Sequence, residues 1–487
     1  MARAPTTQRC SAVSNSQIKP ENDTQSQSVR FVTFGCKANQ YDTQVLRETL
    51  RRRGWSESAK GAIQTPNVVV VNTCTVTAEA GRKARQLIRR IGREQPDARV
   101  AVTGCLAESE PELLRELPNV EWVFGNGEAK LPVHFLKELG EEVTPEELGI
   151  PSGITEFSGH TRAFLKIQDG CNKACAFCII PRVRGKSTSR TIPELTAEVK
   201  RLLSAGHREI VLCGIHIGHW GEDIGAELAD LMEALAAVEM DLPAGSNGGW
   251  RLRLSSIEAT EVDDRLLALM AARPERIAAH LHMPMQSGDD KVLRAMNRWY
   301  DTAEYMASVE RVQAALDKPA LSADLLVGFP GEGDTEFANT LNTVRQIGFS
   351  RIHVFPFSAR PGTPAASMKE LPHPSAVRER RAALGEVARE LQAQFQTSLE
   401  GSQDSLLLEE GFTGLSGRYQ RVELTAPSAA HLLEKFPTEQ ARRGLFQVRL
   451  ERAQGRLLGH LPGAPKQLPQ ISPGTVHLGI GGALPLL

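Results

Sequence analysis

Residues 169–185 read DGCNKACAFCIIPRVRG, and they directly follow RAFLKIQ, a strand-like segment at residues 162–168. The chain has 8 cysteines in 487 residues, and three of them, Cys171, Cys175 and Cys178, lie in this stretch. A structural zinc site normally needs four ligands, and no nearby cysteine or histidine completes the set, although Cys213 in the next strand is an alternative. A [4Fe–4S] cluster is usually held by four cysteines, so three leave one iron open to a reacting molecule. The stretch therefore predicts a catalytic iron–sulfur site.

The block around this stretch, residues 161–398, alternates strand-like and helical segments. The strand-like segments are RAFLKIQ, REIVLCG, RLRLSS, AHLHMPM, ALSADLLVG and SRIHVFPF. Six strand–helix units predict a partial (β/α)6 barrel, whose active site would lie at the carboxyl ends of the strands. Those ends carry DGC, CGIHIG, SSIEA, MPMQSGD, VGFPGE and FSARPGT.

The block before it, residues 29–140, also alternates strands with helices, which predicts a parallel α/β domain. Three of its strand-like segments end in a cysteine, in SVRFVTFGC, NVVVVNTC and ARVAVTGC. Since the carboxyl ends of parallel strands share one edge of a sheet, Cys36, Cys74 and Cys105 are expected to converge. The alternative is three unrelated buried cysteines that pack as small apolar side chains.

The remaining segments complete an α/β organisation. Residues 400–462 contain short strands joined by glycine turns and predict a small antiparallel β-barrel. Residues 1–28 are polar and are expected to be a disordered extension, residues 141–160 a linker, and residues 463–487 an irregular tail.

Composition limits the classes of function. The chain is 41 % hydrophobic and 24 % charged, which is typical of globular proteins, and its net charge is −1. RNA would therefore be bound by local patches rather than by a chain-wide field. We find no membrane segment and no signal peptide, so we expect the reducing cytoplasm, where clustered cysteines indicate metal or redox chemistry.

A family resemblance follows from these motifs. CNKACAFC resembles the CxxxCxxC signature of radical S-adenosylmethionine (SAM) enzymes, and roughly residues 30–460 resemble the methylthiotransferases. The matching stretches are GCKANQYDTQ, VVVVNTCTVT, VTGCLAE, LKIQDGCNKACAFCIIPRVRGKSTSR, LCGIHIGHWGED, LRLSSIEA, HLHMPMQSGDDKVLRAMNRWYD, DLLVGFPGE and HVFPFSARPGTPAA. The 400–462 segment resembles the family's RNA-binding TRAM domain.

The resemblance implies two [4Fe–4S] clusters, the second one held by Cys36, Cys74 and Cys105. GCKAN, GIHIGHWG and FSARPGT look most like the branch that methylthiolates C2 of N6-threonylcarbamoyladenosine at position 37 of tRNA, in the anticodon loop. The alternatives are a branch acting on isopentenyladenosine in tRNA and one acting on a ribosomal protein. An alternative of another class is a non-catalytic zinc- and RNA-binding protein.

The resemblance also implies how the reaction runs. SAM would bind the open iron at Cys171, Cys175 and Cys178 and yield a radical that abstracts hydrogen from adenine, while the second cluster holds the sulfur. The implied partners are tRNA, a low-potential electron donor such as flavodoxin or ferredoxin, and iron–sulfur assembly proteins.

Further site residues are predicted from their positions at strand ends, with turn or capping roles as the alternative. The residues predicted to contact SAM are Gly214, Ser256, Glu258, Gln286, Ser287, Gly328 and Glu332. His216 and His219 are interpreted as hydrogen-bonded side chains.

Local positive charge predicts the RNA contacts, with solvated charged surfaces as the alternative. Residues that directly follow the cysteine loop are Arg182, Arg184, Lys186 and Arg190. In the small barrel the candidates are Arg418, Tyr419 and Arg421.

Overall fold

The computed structural model describes residues 27–59, 65–127, 132–141, 143–144, 152–240, 249–436 and 444–465. The predictions for residues 1–26 and 466–487 lie outside these ranges, as does most of the linker up to residue 151. The described part of the chain forms an N-terminal parallel sheet, a central partial barrel and a C-terminal closed barrel, in the order predicted from the sequence. No helix in these ranges is long and apolar enough to cross a membrane.

The N-terminal part is a five-stranded, fully parallel sheet in the order β2-β1-β3-β4-β5. Its strands are β1 (Ser28–Thr33), β2 (Ser56–Glu57), β3 (Val68–Thr73), β4 (Arg99–Gly104) and β5 (Val120–Val123). Its helices are α1 (Lys37–Arg52), α2 (Ala78–Glu94), α3 (Cys105–Ser109), α4 (Pro111–Arg115) and α5 (Pro132–Glu138). The run of valines in β3 is buried because β3 lies at the centre with helices on both faces.

The central part is the predicted partial barrel, and all six predicted strands are present. They are β6 (Ala163–Lys166), β9 (Glu209–Cys213), β10 (Arg251–Leu254), β11 (His280–His282), β12 (Ala320–Val327) and β13 (Arg351–Pro356). These strands are parallel and form two groups of three, β6-β9-β10 and β11-β12-β13. Single bridges, Leu252–Ile277 and Ser256–His282, connect the two groups. A short hairpin of β7 (Gln168–Asp169) and β8 (Thr188–Ser189) encloses the cysteine loop.

Helices surround this sheet and bury their apolar faces on it. They are α6 (Ile180–Arg184), α7 (Ile192–Ser204), α8 (Leu228–Ala236), α9 (Asp264–Ala272), α10 (Asp290–Ala295), α11 (Thr302–Ala315), α12 (Asp334–Ile347) and α13 (Pro374–Ser398). Helix α1 of the N-terminal part packs against β6 at the edge of the partial barrel, and its Tyr41 belongs to the central core. The two parts therefore share one interface along α1.

The C-terminal part is a closed barrel in the order β14-β15-β16-β18-β17, which confirms the predicted small barrel. Its strands are β14 (Gln403–Glu410), β15 (Thr413–Ser416), β16 (Arg421–Leu424), β17 (Leu445–Ala453) and β18 (Arg456–His460). The pairing differs from the prediction at one place, since β16 and β18 are parallel. Helix α14 (Ala426–Lys435) crosses between β16 and β17 and makes this parallel closure possible.

The C-terminal barrel is bound to the amino ends of the central strands through buried charges. Arg251 and Arg253 both pair with the fully buried Glu209 and donate to backbone carbonyls of residues 405 and 415–417. Carbonyl oxygens and one carboxylate thus satisfy two buried guanidinium groups. The opposite, carboxyl ends of the strands are left for the site.

Candidate metal centres

The loop between β7 and α6 carries Cys171, Cys175 and Cys178, called here the loop trio. The Cys171 amide donates to the Gly185 carbonyl at 3.1 Å, and the Cys178 amide donates to the Cys175 carbonyl at 3.0 Å. The Ala176 amide donates to the Met296 carbonyl at 2.9 Å. Backbone contacts at both ends and in the middle therefore fix the positions of the three thiols.

Each of two thiols in the loop trio meets a nitrogen donor. Nη1 of Arg298 lies 3.2 Å from Sγ of Cys175, and Nδ1 of His216 lies 3.4 Å from Sγ of Cys171. The Lys173 amide also donates to Cys171 Sγ at 3.4 Å. Hydrogen bonds to the sulfurs are one of the means by which proteins tune iron–sulfur clusters.

Burial sets the protonation of these thiols. It raises the pKa of Cys178 to about 12, with a smaller opposing effect of the Ile180 amide. Burial also raises the pKa of Cys175, against the opposing charge of Arg298. Both thiols therefore keep their protons at neutral pH unless a cation replaces them, which is the behaviour of a metal ligand.

Arg298 and His216 are themselves held by carboxylates. The Arg298 guanidinium is 3 % exposed and pairs with Glu258, and it stacks on Trp299 at 4.2 Å. Nε2 of His216 lies 2.7 Å from Oε1 of Glu261. Burial lowers the pKa of His216, but the hydrogen bonds with Cys171 and Glu261 outweigh it and raise the pKa to about 9.

The second group, called here the strand trio, is Cys36, Cys74 and Cys105. These residues follow β1 and β3 and begin α3 directly after β4. The three strands are neighbours in one parallel sheet, with Thr33 opposite Asn72 and Thr73 opposite Gly104. The sheet therefore brings the three cysteines to one edge, although they are far apart in sequence.

Two glycines permit this close approach. A Cβ added to Gly35 would lie 2.7 Å from Cβ of Cys74, and one added to Gly104 would lie 2.4 Å from the Thr73 carbonyl oxygen. Both glycines have positive φ, 99° and 94° respectively. Burial raises the pKa of Cys74 to about 11, and the neighbouring thiols of Cys105 and Cys36 add to that increase.

The segments that carry the two trios pack against each other at the domain interface. Cys105 packs with Ile179 and Val183, and Ile179 directly follows Cys178 of the loop trio. Nε of Arg184 donates to Sγ of Cys105 at 3.4 Å, and the guanidinium pairs with Asp42 of α1 and Asp169 of β7. One buried arginine therefore links the strand trio, helix α1 and the strand that leads into the cysteine loop.

The structure places the residues predicted to contact SAM in different surroundings. Ser256 is exposed at the end of β10, Glu258 pairs with Arg298, and Gln286 lies at the end of β11 with a φ of 64°. Gly214 packs against Gln168, because an added Cβ would lie 2.9 Å from the Gln168 carbonyl oxygen. Ser256, Glu258 and Gln286 therefore stay near the mouth of the barrel, while Gly214 has a packing role.

Three other residues of this predicted set have partners inside the fold. Ser287 is 3 % exposed, and its hydroxyl meets Thr340. Glu332 is 6 % exposed and bonds to the Gly328 amide and to Arg380. Their polar groups and the Gly328 amide are used inside the fold, where they brace the loops after β11 and β12, and the contact of Ser287, Gly328 and Glu332 with SAM stays a prediction.

The residues predicted to contact RNA include side chains paired inside the fold and side chains exposed at the surface. The Arg184 side chain is 2 % exposed, and Arg190 pairs with the buried Glu198. Arg418 is buried against Asp317 and Asp404, and Tyr419 stacks on His280. The Arg184 and Arg418 side chains are buried, whereas Arg190 and Tyr419 are partly exposed. All four join elements of the fold, and their contact with RNA stays a prediction. The exposed residues of the predicted set are Arg182, Lys186 and Arg421.

Sequence reasoning did not single out Arg298 or Glu261. Arg298 lies in MNRWY, within the stretch that resembles the methylthiotransferases, but no local spacing connects it with Cys175. The resemblance of MNRWY to the family was therefore the available sequence signal for Arg298, because its contact with Cys175 forms only when the chain folds.

Comparisons with known proteins agree with this architecture. Residues 28–125 match the uncharacterized protein family UPF0004, and residues 165–344 match the radical SAM superfamily. The solved structure of a radical SAM methyltransferase, TsrM, from Kitasatospora setae aligns with a TM-score of 0.50 and 16 % identity, covering 70 % of this chain and 77 % of that one. This likeness supports the fold.

Curated relatives match most of the chain in sequence. The threonylcarbamoyladenosine tRNA methylthiotransferase MtaB of Bacillus subtilis is 36 % identical over 79 % of this chain and 85 % of its own length. The enzyme of the same name from Thermotoga maritima is 34 % identical over 78 % and 86 %. A tRNA-2-methylthio-N(6)-dimethylallyladenosine synthase of Cereibacter sphaeroides is 35 % identical over 72 % and 80 %. The chain belongs to the radical SAM methylthiotransferase family.

Proposed function

We propose that this protein is a tRNA methylthiotransferase that converts N6-threonylcarbamoyladenosine at position 37 into its 2-methylthio derivative. The observation that carries the proposal is the meeting of the two cysteine trios at one interface, where Cys105 packs on Ile179 beside Cys178. Sulfur transfer needs a sulfur source next to the group that activates the carbon. The names of the relatives support tRNA as the substrate, and the MtaB relatives favour the threonylcarbamoyl branch.

The residues present fit two [4Fe–4S] clusters. Each trio offers three thiols, buried thiols in both trios keep their protons in the absence of a cation, and nitrogen donors lie beside Cys175, Cys171 and Cys105. Cys171, Cys175 and Cys178 would hold one cluster, and Cys36, Cys74 and Cys105 would hold the other. When bound, the clusters and SAM supply the electron-transfer, radical and sulfur chemistry that side chains cannot provide.

A single zinc ion fits the trios less well. Zinc–sulfur bonds of about 2.3 Å in a tetrahedron place the sulfurs about 3.8 Å apart. Among the described residues, the ligand atoms of His216, His219 and Glu261 all lie within 4.8 Å of one another, which is the spacing that a single metal ion needs. Neither cysteine trio forms such a compact group. The wider spacing of the thiols favours a larger, multinuclear group.

The protein's own residues position and shield the reacting groups. Arg298 fixes Cys175 and neutralises Glu258, and Arg184 fixes Cys105 and ties it to the central domain. Phe177, which contacts Phe329 edge-on at 6.3 Å, shields the loop trio with the neighbouring Ala176. Cys74 and Cys105 are buried, the loop trio is partly buried and Cys36 is exposed, so the strand trio is open to solvent on the side of Cys36.

The proposal includes partners of defined chemistry. Cleavage of SAM needs one electron, so we propose a low-potential donor such as flavodoxin or ferredoxin. Iron–sulfur assembly proteins would load the two sites. Because tRNA is the substrate, the proposed location is the cytoplasm.

The test is an anaerobic assay of the reconstituted protein with SAM, dithionite and purified tRNA. One tRNA carries N6-threonylcarbamoyladenosine and a second carries N6-isopentenyladenosine, and the product nucleosides are identified by mass spectrometry. We expect methylthiolation of the first tRNA. Product on the second tRNA alone would assign the chain to the dimethylallyladenosine branch, and binding of zinc without iron would contradict a methylthiotransferase.

A further inference from the structure

The partial barrel encloses a polar cavity that is lined by residues of the central strands, by Tyr419 of the C-terminal part and by Lys37. It has a volume of about 250 Å³ and includes Ser256 and Lys37 in its lining. Ser256 lies two residues before Glu258, which pairs with the Arg298 beside Cys175, whereas Lys37 directly follows Cys36. Two positions of the lining therefore belong to the segments that carry Glu258 and Cys36.

The lining of this cavity suits a polar ligand. Nδ1 of His282 lies 2.9 Å from the Ser322 hydroxyl, and Nε2 of His282 lies 3.3 Å from a carboxylate oxygen of Asp324. The His353 ring faces the His282 ring at 6.0 Å. Phe355 is 41 % exposed and offers an aromatic face on which a base can stack. The lining therefore combines polar groups with an aromatic face.

Lys37 is a cation of this cavity without an ion pair among the described residues, and the carboxylate of the lining, Asp324, meets His282 at 3.3 Å. In the described part of the chain, the Lys37 ammonium makes no hydrogen bond or ion pair, although the residue is half-buried. The other cations of the cavity are paired, Arg162 with Glu409 and Arg253 with Glu209. A half-buried ammonium without a counter-ion is a favourable position for an anionic ligand.

We propose that Lys37 binds the carboxylate of the threonylcarbamoyl substituent of the substrate adenosine inside this cavity. The proposal rests on the proposed function and adds the residue that determines the substrate. The contact would hold the substituent beside Cys36 and thus orient the base toward the strand trio. A dimethylallyl group has no charge to offer, so it would bury Lys37 without a partner and be rejected.

The test compares two substrates with two proteins. The substrates are the same tRNA with the free carboxylate and with that carboxylate converted to its methyl ester, and the proteins are the wild type and Lys37→Gln. With the free acid we expect kcat/KM for methylthiolation to fall about 10–100-fold in Lys37→Gln, the range of a charged hydrogen bond. With the ester we expect wild type and variant to differ less than about 2-fold, because the charge pair is already absent.

Controls separate this contact from a structural effect. Lys137→Gln removes an exposed lysine on α5 of the same domain and should leave kcat/KM unchanged, and Lys37→Arg should restore part of the loss. Iron and sulfide contents of each variant report whether the protein is folded and loaded. An equal loss with acid and ester in Lys37→Gln would overturn the proposal.

Two further outcomes keep the proposal separate from the proposed function. If Lys37→Gln did not fold, a wild-type enzyme that used acid and ester equally well would still overturn the role of Lys37. A wild-type enzyme inactive on every tRNA would instead overturn the proposed function.

Discussion

The two cysteine trios present similar chemistry but are built in different ways. The loop trio lies within residues 171–178, and hydrogen bonds of one loop fix it. The strand trio spans residues 36–105, and the register of three parallel strands fixes it. A local motif depends on a few backbone contacts, whereas a site assembled from strand ends depends on the whole sheet. The loop trio can therefore be found by its spacing, and the strand trio only through the fold.

The trios nevertheless share one device, a buried arginine beside one sulfur. Arg298 is 3 % exposed and contacts Cys175, and Arg184 is 2 % exposed and contacts Cys105. Each arginine also pairs with a carboxylate, Glu258 and Asp42 respectively. The carboxylate orients the arginine without contacting the sulfur itself. Residues that contact the ligands of a metal site in this way adjust the properties of the site.

The strongest way to separate the trios is to remove one thiol from each. Cys175→Ala should abolish formation of 5′-deoxyadenosine and lower the iron content by about half, because one of two clusters is lost. Cys74→Ala should lower iron equally, retain SAM cleavage and lose the methylthiolated nucleoside. Liquid chromatography of both products measures the difference. A fully active Cys74→Ala would refute the assignment of the strand trio.

The dependence of the strand trio on the sheet is tested at Gly104. Gly104→Ala should lower the free energy of unfolding of the N-terminal sheet by about 3 kcal/mol, because the φ of 94° is unfavourable and the new Cβ meets the Thr73 backbone. Gly54→Ala is the matched control, since it has a φ of 83° but nothing within 4 Å of the added Cβ, and should cost about 1 kcal/mol.

Hydrogen exchange of the β3 and β4 amides measures the change in the free energy of unfolding for both variants, Gly104→Ala and Gly54→Ala. The loop trio should be unaffected by either change, so the Gly104→Ala protein should still form 5′-deoxyadenosine. Equal costs for the two variants would show that backbone strain, and not the contact with Thr73, makes Gly104 necessary.

The same contrast explains what the sequence could predict. Alternating apolar and helical patterns predicted the parallel sheet and the six barrel strands, because each pattern is local. The convergence of Cys36, Cys74 and Cys105 required one rule of topology in addition. By contrast, the parallel β16–β18 pair could not be predicted, because it depends on how α14 crosses the barrel.

The surroundings of charged residues were the hardest feature to predict from the sequence. Arg184 ends a short helix and Arg418 lies in a turn, and both look like surface groups in sequence, yet they pair with Asp42, Asp169 and Asp317 from other segments. The contact between Arg298 and Cys175 joins residues 123 positions apart, beyond the reach of any local pattern. Polar residues at strand ends, such as Glu332, were assigned to SAM because position alone does not reveal an internal partner.

The shared arginine device leads to a smaller, paired effect. Arg298→Lys keeps a positive charge but loses the planar guanidinium that contacts both Cys175 and Glu258, and SAM cleavage should fall about 10–100-fold. Arg184→Lys should lower the amount of methylthiolated nucleoside formed per 5′-deoxyadenosine, since its contact is with the strand trio. If both variants changed the two products in the same ratio, the arginines would act on the interface as a whole.

The smallest effect is expected at Arg182, which shares helix α6 with Arg184 but is exposed. If Arg182 neutralises one phosphate, Arg182→Gln should weaken tRNA binding and reduce the slope of log affinity against log salt concentration by about 1. Arg82 on α2 is the control, because that exposed arginine is already paired with Glu79 and Arg82→Gln should leave the slope unchanged. Filter binding at several salt concentrations measures both slopes. Since the side chains of Arg182 and Arg184 come from one turn of helix, an unchanged slope in Arg182→Gln would mean that α6 faces the domain interface only, and that tRNA reaches the loop trio from another side.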